Sequence, residues 1–268
     1  MSTLAPPPPV SGGPRRITLP TKPRVAGQVA PKILFHAIPG WGKTTLAALA
    51  PSPIILTAPD ETGYYKLLSA KRVPAVHAET VQDWSALLGY LDELAAGKHA
   101  FQSVWLDVLG GFARLCDEHV CNRDFKGEWG EKGFLSYHKG YEVSAQEWSA
   151  MLRRLELVNA RGITVGILAH TQIKTHQNPE GKDFDRYEPQ AHAKTAERTV
   201  AWASDVLFGK FLSLVNVDGK GVGGKQRVVY AQHSDARVAK SQHGLPEVMS
   251  VSDDMSRTYA DVFAHFPK

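Results

Sequence analysis

The sequence predicts an α/β domain: a mostly parallel central sheet flanked by helices, with an antiparallel hairpin extension near the C-terminus. Three observations predict it. Four short apolar runs recur along the chain, helix-patterned segments separate them, and the first run passes through a glycine-rich loop into a helix. Runs that are continuously apolar, rather than alternating, suit strands buried on both faces of a parallel sheet.

The 268 residues are 43% hydrophobic and 22% charged, which suits one globular domain with a full core. Residues 1–31 are rich in Pro, Gly, Ser and Thr and carry Arg15, Arg16, Lys22 and Arg24. They read as a disordered, weakly basic Pro-rich arm or a plain linker, which leaves residues 32–268 as the domain. The net charge of +4 permits contact with nucleic acid without demanding it. With only two cysteines, Cys116 and Cys121, no disulfide framework is expected and a reducing cytoplasm is the expected location. No stretch approaches the roughly 20 apolar residues of a membrane span, and no secretory leader is expected.

The expected strands are residues 33–37, 54–58, 104–109 and 163–169. Between the second and third, Thr80 and Asp83 form an N-terminal capping pattern. Trp84, Leu87, Leu88, Leu91 and Leu94 then follow at helical spacing up to Gly97. Trp148, Met151, Leu152, Leu155 and Val158 form a second helical stripe, read as core. The stretch FLSLVNVDGKGVGGKQRVVYA reads as two strands joined by a Gly-rich hairpin loop.

Residues 37–44, AIPGWGKT, match the phosphate-loop pattern except that Ala37 replaces its first glycine. Such a loop must curl successive backbone N–H groups around phosphate oxygens, so small residues are needed where the dihedrals are unusual. Pro39, Gly40, Trp41, Gly42, Lys43, Thr44 and Thr45 are therefore the expected nucleotide-binding residues. Lys43 places a charge on the outer phosphates and Thr44 lends its hydroxyl to Mg²⁺. ATP and Mg²⁺ are the expected ligands. Within residues 103–109, SVWLDVL, an apolar strand is expected to end at Asp107, where its carboxylate would complete the metal site; a bare helix cap is the alternative. Glu61, following the second strand, is favoured over Asp60 as the group that activates water, against an ordinary acidic turn. His170 ends the fourth strand where a polar residue could sense the outer phosphate, or simply be solvated. Cys116, His119 and Cys121 fall on one expected helix without a second ligand pair, and read as structural rather than as a zinc site.

Two segments have the composition of a polyanion surface. Residues 122–141 interleave Arg123, Lys126, Lys132 and Lys139 with Phe125, Trp129, Phe134, Tyr137 and Tyr141. Residues 172–198 carry Lys174, His176, Lys182, Arg186, Tyr187, Lys194 and Arg198 on a long polar stretch expected to be mobile. Rings stack on unpaired bases and cations follow the backbone, so each suits single-stranded nucleic acid. The interspersed acids favour a solvated loop when either segment is taken alone.

Taken in order, PKILFHAIPGWGKTTLA, TAPDETGYYKL, SVWLDVL, GILAHTQIK and RVAKSQHGLP resemble the RecA-like P-loop NTPase core over residues 31–250. In detail they resemble the phage-encoded nucleotide-binding and single-strand-annealing ATPases. The resemblance implies Glu61 as catalytic carboxylate, His170 as sensor, and DNA-binding loops at the two aromatic-basic segments. It further implies that Lys240, with Arg237, reaches a neighbouring subunit's triphosphate, although Gln242 stands where the family has Arg. The function expected from it is a DNA-stimulated ATPase acting on single-stranded DNA in phage-type annealing or strand exchange, in the host cytoplasm. Such a protein would assemble as a ring or filament, with a single-strand-binding protein as a further candidate partner and no membrane. A hexameric helicase-like or loader ATPase, and a non-hydrolysing ATP-gated DNA-binding switch, are the alternatives.

Overall fold

The computed structural model describes residues 29–215 and 221–267. The arm predicted over residues 1–31 lies almost wholly outside the described residues, as does the tip of the C-terminal hairpin loop.

The strands β1 (Lys32–Ala37), β2 (Pro53–Thr57), β4 (Ser103–Asp107) and β5 (Thr164–His176) correspond to the four apolar runs. β4 stops at Asp107, as expected of the strand that carries this carboxylate, while the apolar run 104–109 overshoots it: Val108 is already the cap of the next helix, α4 (Leu109–Phe125). A fifth parallel strand, β7 (Asp205–Val215), pairs with β1, and the short edge strand β3 (His77–Thr80) pairs with β2. The C-terminal pair is antiparallel as expected: β7 with β8 (Gly221–Tyr230), flanked by β10 (Val248–Val251). A two-residue strand, β9 (Lys240–Ser241), joins the start of β7. The order is β10-β8-β7-β1-β5-β4-β2-β3, so β5 separates the phosphate-loop strand from the Asp107 strand.

Helices α1 (Lys43–Ala48), α2 (Gly63–Ser69) and α7 (Thr258–Phe263) cover one face of the sheet. Helices α3 (Trp84–Ala96), α4, α5 (Lys139–Asn159) and α6 (Ala193–Trp202) cover the other. Successive strand residues serve opposite faces, as a pleat requires: Leu34 packs beneath α3–α5, Ile33 and Phe35 beneath α1 and α7. That is why the runs are continuously apolar. The predicted Trp148 stripe is core: its ring stacks on Trp84 at 5.7 Å and its Nε1 donates to Thr199 Oγ1 at 2.9 Å.

Two readings are corrected. Thr80 does not cap α3; it ends β3, and Asp83 is itself the cap, accepting from the Ala86 N–H at 2.8 Å. Nor is 172–198 a long mobile loop. Residues 171–176 extend β5 and pair antiparallel with β6 (Phe184–Pro189), after which α6 begins. The physical reason is that the hairpin runs past the helix-covered part of the sheet and is only partly covered, chiefly along β6, where Tyr187 stacks on Phe208 at 4.9 Å. Its strands are therefore polar, and the apolar signal is missing.

Candidate functional site

At the C-terminal edge of the sheet, β1 delivers Ala37 beside His170 of β5, and β4 delivers Asp107 one strand further on. The loop from β1 to α1 turns through Gly40 at φ 77° and Gly42 at φ 111°, left-handed values that favour glycine. Lys43 is buried, its Nζ donating to the Ala37 carbonyl at 3.2 Å across the loop. Burial pushes the Lys43 pKa down, while the Asp107 and Glu61 carboxylates oppose the shift.

Thr44 Oγ1 donates to Asp107 Oδ2 at 2.7 Å, the single hydrogen bond to that side chain among the described residues. Asp107 is 2% exposed. Burial raises its pKa to about 6, and the Thr44 hydroxyl and Lys43 charge only partly offset this. A hydroxyl and an under-satisfied carboxylate in contact beside a buried lysine are a chemically suitable donor set for Mg²⁺. That ion takes one or two protein oxygens and completes its shell with phosphate and water. Among the described residues no group of three His, Cys, Asp or Glu forms a dedicated metal cage. Cys116 and Cys121 are buried along α4.

The two acids after β2 diverge. Asp60 pairs with Arg114 of α4 at 2.5 Å, and Arg114 also pairs with Glu118. Glu61 instead faces the phosphate loop, with its Oε1 3.6 Å from His170 Nε2. The imidazole beside it holds its carboxyl below the usual range, against the opposing effect of burial. A cavity of about 370 Å³ opens here, bounded by Asp60, Glu61, Val108, Arg114, His170 and Gln190. Arg114 and Gln190 were not anticipated from sequence. Arg114 could have been found two turns into the helix that follows the Asp107 strand. Gln190 could not, because the β5–β6 hairpin brings it back until its N–H bonds the His170 carbonyl at 2.8 Å.

The remaining candidates lie elsewhere. The Trp41 side chain is fully buried, so in a nucleotide site only its backbone is free to contribute; Thr45 is buried within α1. Lys240 sits opposite Val206, which is in register with Leu34, and donates to the Ala201 carbonyl. It is thus near the far edge of the sheet and not in this chain's own phosphate loop. Arg237 covers the Tyr230 ring at 3.9 Å and pairs with Glu247.

The two aromatic-basic segments lie near each other where Tyr141 stacks on His192 at 3.9 Å. Several of their residues have partners within the chain. Arg123 pairs with Asp124 and Glu147, Arg186 with Glu188, and Lys194 with Glu142. Phe134 is buried, with Phe125 and Tyr141 packed against it. Lys126 closes α4 in a left-handed conformation. Lys126, Lys174 and Lys182 are exposed, and Trp129 and Tyr137 are 43% and 91% exposed.

Residues 30–243 match the family model described as an AAA domain. No curated protein matches the chain.

Proposed function

The chain belongs to the AAA domain family, a nucleotide-binding P-loop ATPase by class, and from that premise we propose a Mg²⁺-dependent ATPase acting on single-stranded DNA. The biological setting we propose is phage-type recombination, by annealing or strand exchange, in a self-assembled ring or filament. One observation carries the nucleotide reading: Lys43, the Thr44–Asp107 pair and Glu61 converge on a loop with two left-handed glycines.

The residues divide the work by their chemistry. Lys43, held in a low-dielectric setting, attracts the outer phosphates more strongly than an exposed lysine would. Thr44 and Asp107 would hold Mg²⁺, which when bound neutralises charge on the phosphate oxygens. Glu61, kept ionised below the usual carboxylate range, is suited to orient water and accept its proton. His170 touches Glu61, and its neighbour Thr171 starts the β5–β6 hairpin pairing, so a change at the outer phosphate has a short covalent route to Lys174 and Lys182. The DNA reading is supported by those exposed lysines together with the exposed rings of Trp129 and Tyr137.

The test is ATP hydrolysis with and without single-stranded DNA, in the wild type and in Glu61→Gln. Stimulation by DNA, with a loss of about 10²–10⁴-fold in Glu61→Gln and retained nucleotide binding, is the expected result. Hydrolysis indifferent to single-stranded DNA would overturn the DNA-dependent reading. Unwinding of a forked duplex would favour the helicase-like alternative. ATP-dependent DNA binding with no measurable turnover would favour the switch.

A further inference from the structure

We propose that Arg227 is a positioning residue for the phosphate loop, gripping the Trp41 carbonyl from β8 so that the turn between Gly40 and Gly42 keeps its curl. The proposal rests on the nucleotide reading of that loop.

Arg227 is 3% exposed. Its Nη1 donates to the Trp41 carbonyl at 3.3 Å and to Thr258 Oγ1 at 2.9 Å, and its Nη2 donates to the Ser252 carbonyl. All three acceptors are neutral, and among the described residues no carboxylate lies within ion-pair distance. A guanidinium does not give up its proton in a protein, so this is a buried charge held without a counter-ion in contact. Burial disfavours the charged form, and Asp253, Asp261 and Asp254 act on it only from a distance. An apolar side chain would fill the position at lower cost. What the guanidinium adds is a fork that fixes three oxygens at once, one of them in the phosphate loop.

The geometry explains why that oxygen matters. The Trp41 carbonyl and the Gly42 N–H belong to one planar trans peptide and point to opposite sides of the chain. Pinning the carbonyl outward, toward β8, therefore aims the Gly42 N–H toward the inside of the curl. The same strand holds Trp41 a second time, since its Nε1 donates to the Val228 carbonyl at 3.2 Å. The indole lies 4.8 Å from the Phe35 ring and against Gly209, where a Cβ would meet it at 2.9 Å. The outside of the loop is closed as well: a Cβ on Gly42 would come within 2.7 Å of Met255 Cε and 3.2 Å of Arg227 Nη1.

The experiment compares wild type, Arg227→Met and Arg227→Lys in MgATP affinity by calorimetry and in amide hydrogen exchange of residues 38–44. Methionine keeps length without donors. Lysine keeps charge but cannot span three acceptors. Both should weaken MgATP binding, Arg227→Met by about tenfold or more, in line with hydrogen bonds made by a charged donor. KM should rise more than kcat falls. Loop amides should exchange faster while β4 and α3 keep wild-type protection, a local signature that general destabilisation would not give. Wild-type affinity and exchange in Arg227→Met would overturn the proposal, and full rescue by lysine would overturn the positioning role in favour of charge alone. Should the wild type itself not bind MgATP, the nucleotide reading fails and the exchange of residues 38–44 alone decides whether Arg227 holds the loop. Should Arg227→Met not fold, Thr258→Val removes one acceptor and should weaken binding in the same direction by less; unchanged affinity there overturns the proposal.

Discussion

Asp107 and Asp205 are both buried at strand ends of one sheet, Asp107 at the C-terminal edge and Asp205 at the N-terminal edge. Their surroundings differ. Asp205 accepts from Ser204 Oγ at 2.8 Å and Ser241 Oγ at 2.7 Å, and pairs with His243 Nδ1 at 2.6 Å. Ser204 Oγ also accepts from the Lys32 N–H at 2.9 Å, and its single proton is shared between Asp205 and the Lys32 carbonyl. This cluster ties β7, β9 and the start of β1 together, and its carboxylate is satisfied from within the chain. Among the described residues Asp107 has one donor, Thr44, and it lies beside Lys43. A carboxylate buried with lone pairs left over is costly to the fold, and under the proposed function a bound Mg²⁺ would offset that cost.

The largest expected effects come from making the same substitution at both positions. Asp107→Asn should reduce ATP hydrolysis by about 10²–10³-fold, the usual scale for losing a charge-stabilising group. It should also stabilise the Mg²⁺- and nucleotide-free protein above pH 6. The shift of Asp107 from 3.8 to about 6 corresponds to a penalty on the order of 3 kcal/mol that the amide does not carry. Asp205→Asn should do the reverse: a loss of about 3–5 kcal/mol, because the amide leaves one acceptor oxygen where His243 and two serines had two, and turns an N–H₂ toward groups that donate. Its specific activity per folded molecule should stay near wild type. Denaturant melts and steady-state rates on both variants check this, and equal loss of stability in the two would break the contrast.

A smaller effect appears on acidification. Asp107, raised in the folded state, binds its proton more tightly there than in the unfolded chain. Its contribution to stability therefore falls as pH rises from about 4 to 6. His36 is buried and lowered from 6.5 to about 4, chiefly by desolvation. Its unfolded form takes the proton first, so its contribution falls as pH drops from 6.5 toward 4. The two slopes oppose each other and largely cancel in the wild type. Asp107→Asn removes one of them, so its stabilising effect should shrink by about 2–3 kcal/mol between pH 6.5 and 4. Melts of both proteins across that window, without Mg²⁺, provide the check. A constant difference would refute the shift assigned to Asp107.

How legible these features were in the sequence follows from how local their causes are. The β1–loop–α1 unit was read almost to the residue, because glycines, lysine and flanking apolar runs all lie within 18 positions. Strands β1, β2, β4 and the first half of β5 were legible because burial on both faces leaves an unbroken apolar run. The edge strand β3 and the β5–β6 hairpin were not, since neither has two buried faces. Thr80 and Asp83 both suit the α3 cap by sequence, and only the end of β3 at Thr80 decides for Asp83. Arg227 was invisible for a different reason: its partner Trp41 is 186 residues away.

The contrast between satisfied and unsatisfied groups extends to the aromatic segment, where it yields the smallest effect. Composition alone treats Phe125, Trp129, Phe134, Tyr137 and Tyr141 as equivalent base-stacking rings. Phe134 is fully buried, within 5.7 Å of Phe125, 4.9 Å of Trp129 and 5.1 Å of Tyr141, so its ring already has partners. Tyr137 is 91% exposed and sits at φ 45°, followed by His138 at φ 58°, two consecutive non-glycine residues in the left-handed region. Backbone strain retained under an exposed ring points to a surface role, not a packing one. Tyr137→Ala should therefore leave the melting midpoint unchanged and weaken single-stranded DNA binding by roughly the 1–3 kcal/mol of one lost base stack. Phe134→Ala should lower stability by about 3–5 kcal/mol, the usual range for an emptied aromatic site. Fluorescence anisotropy with a labelled oligonucleotide separates the two variants. DNA affinity untouched by Tyr137→Ala would remove this ring from the proposed nucleic-acid surface and leave Trp129 as the exposed aromatic of that proposal.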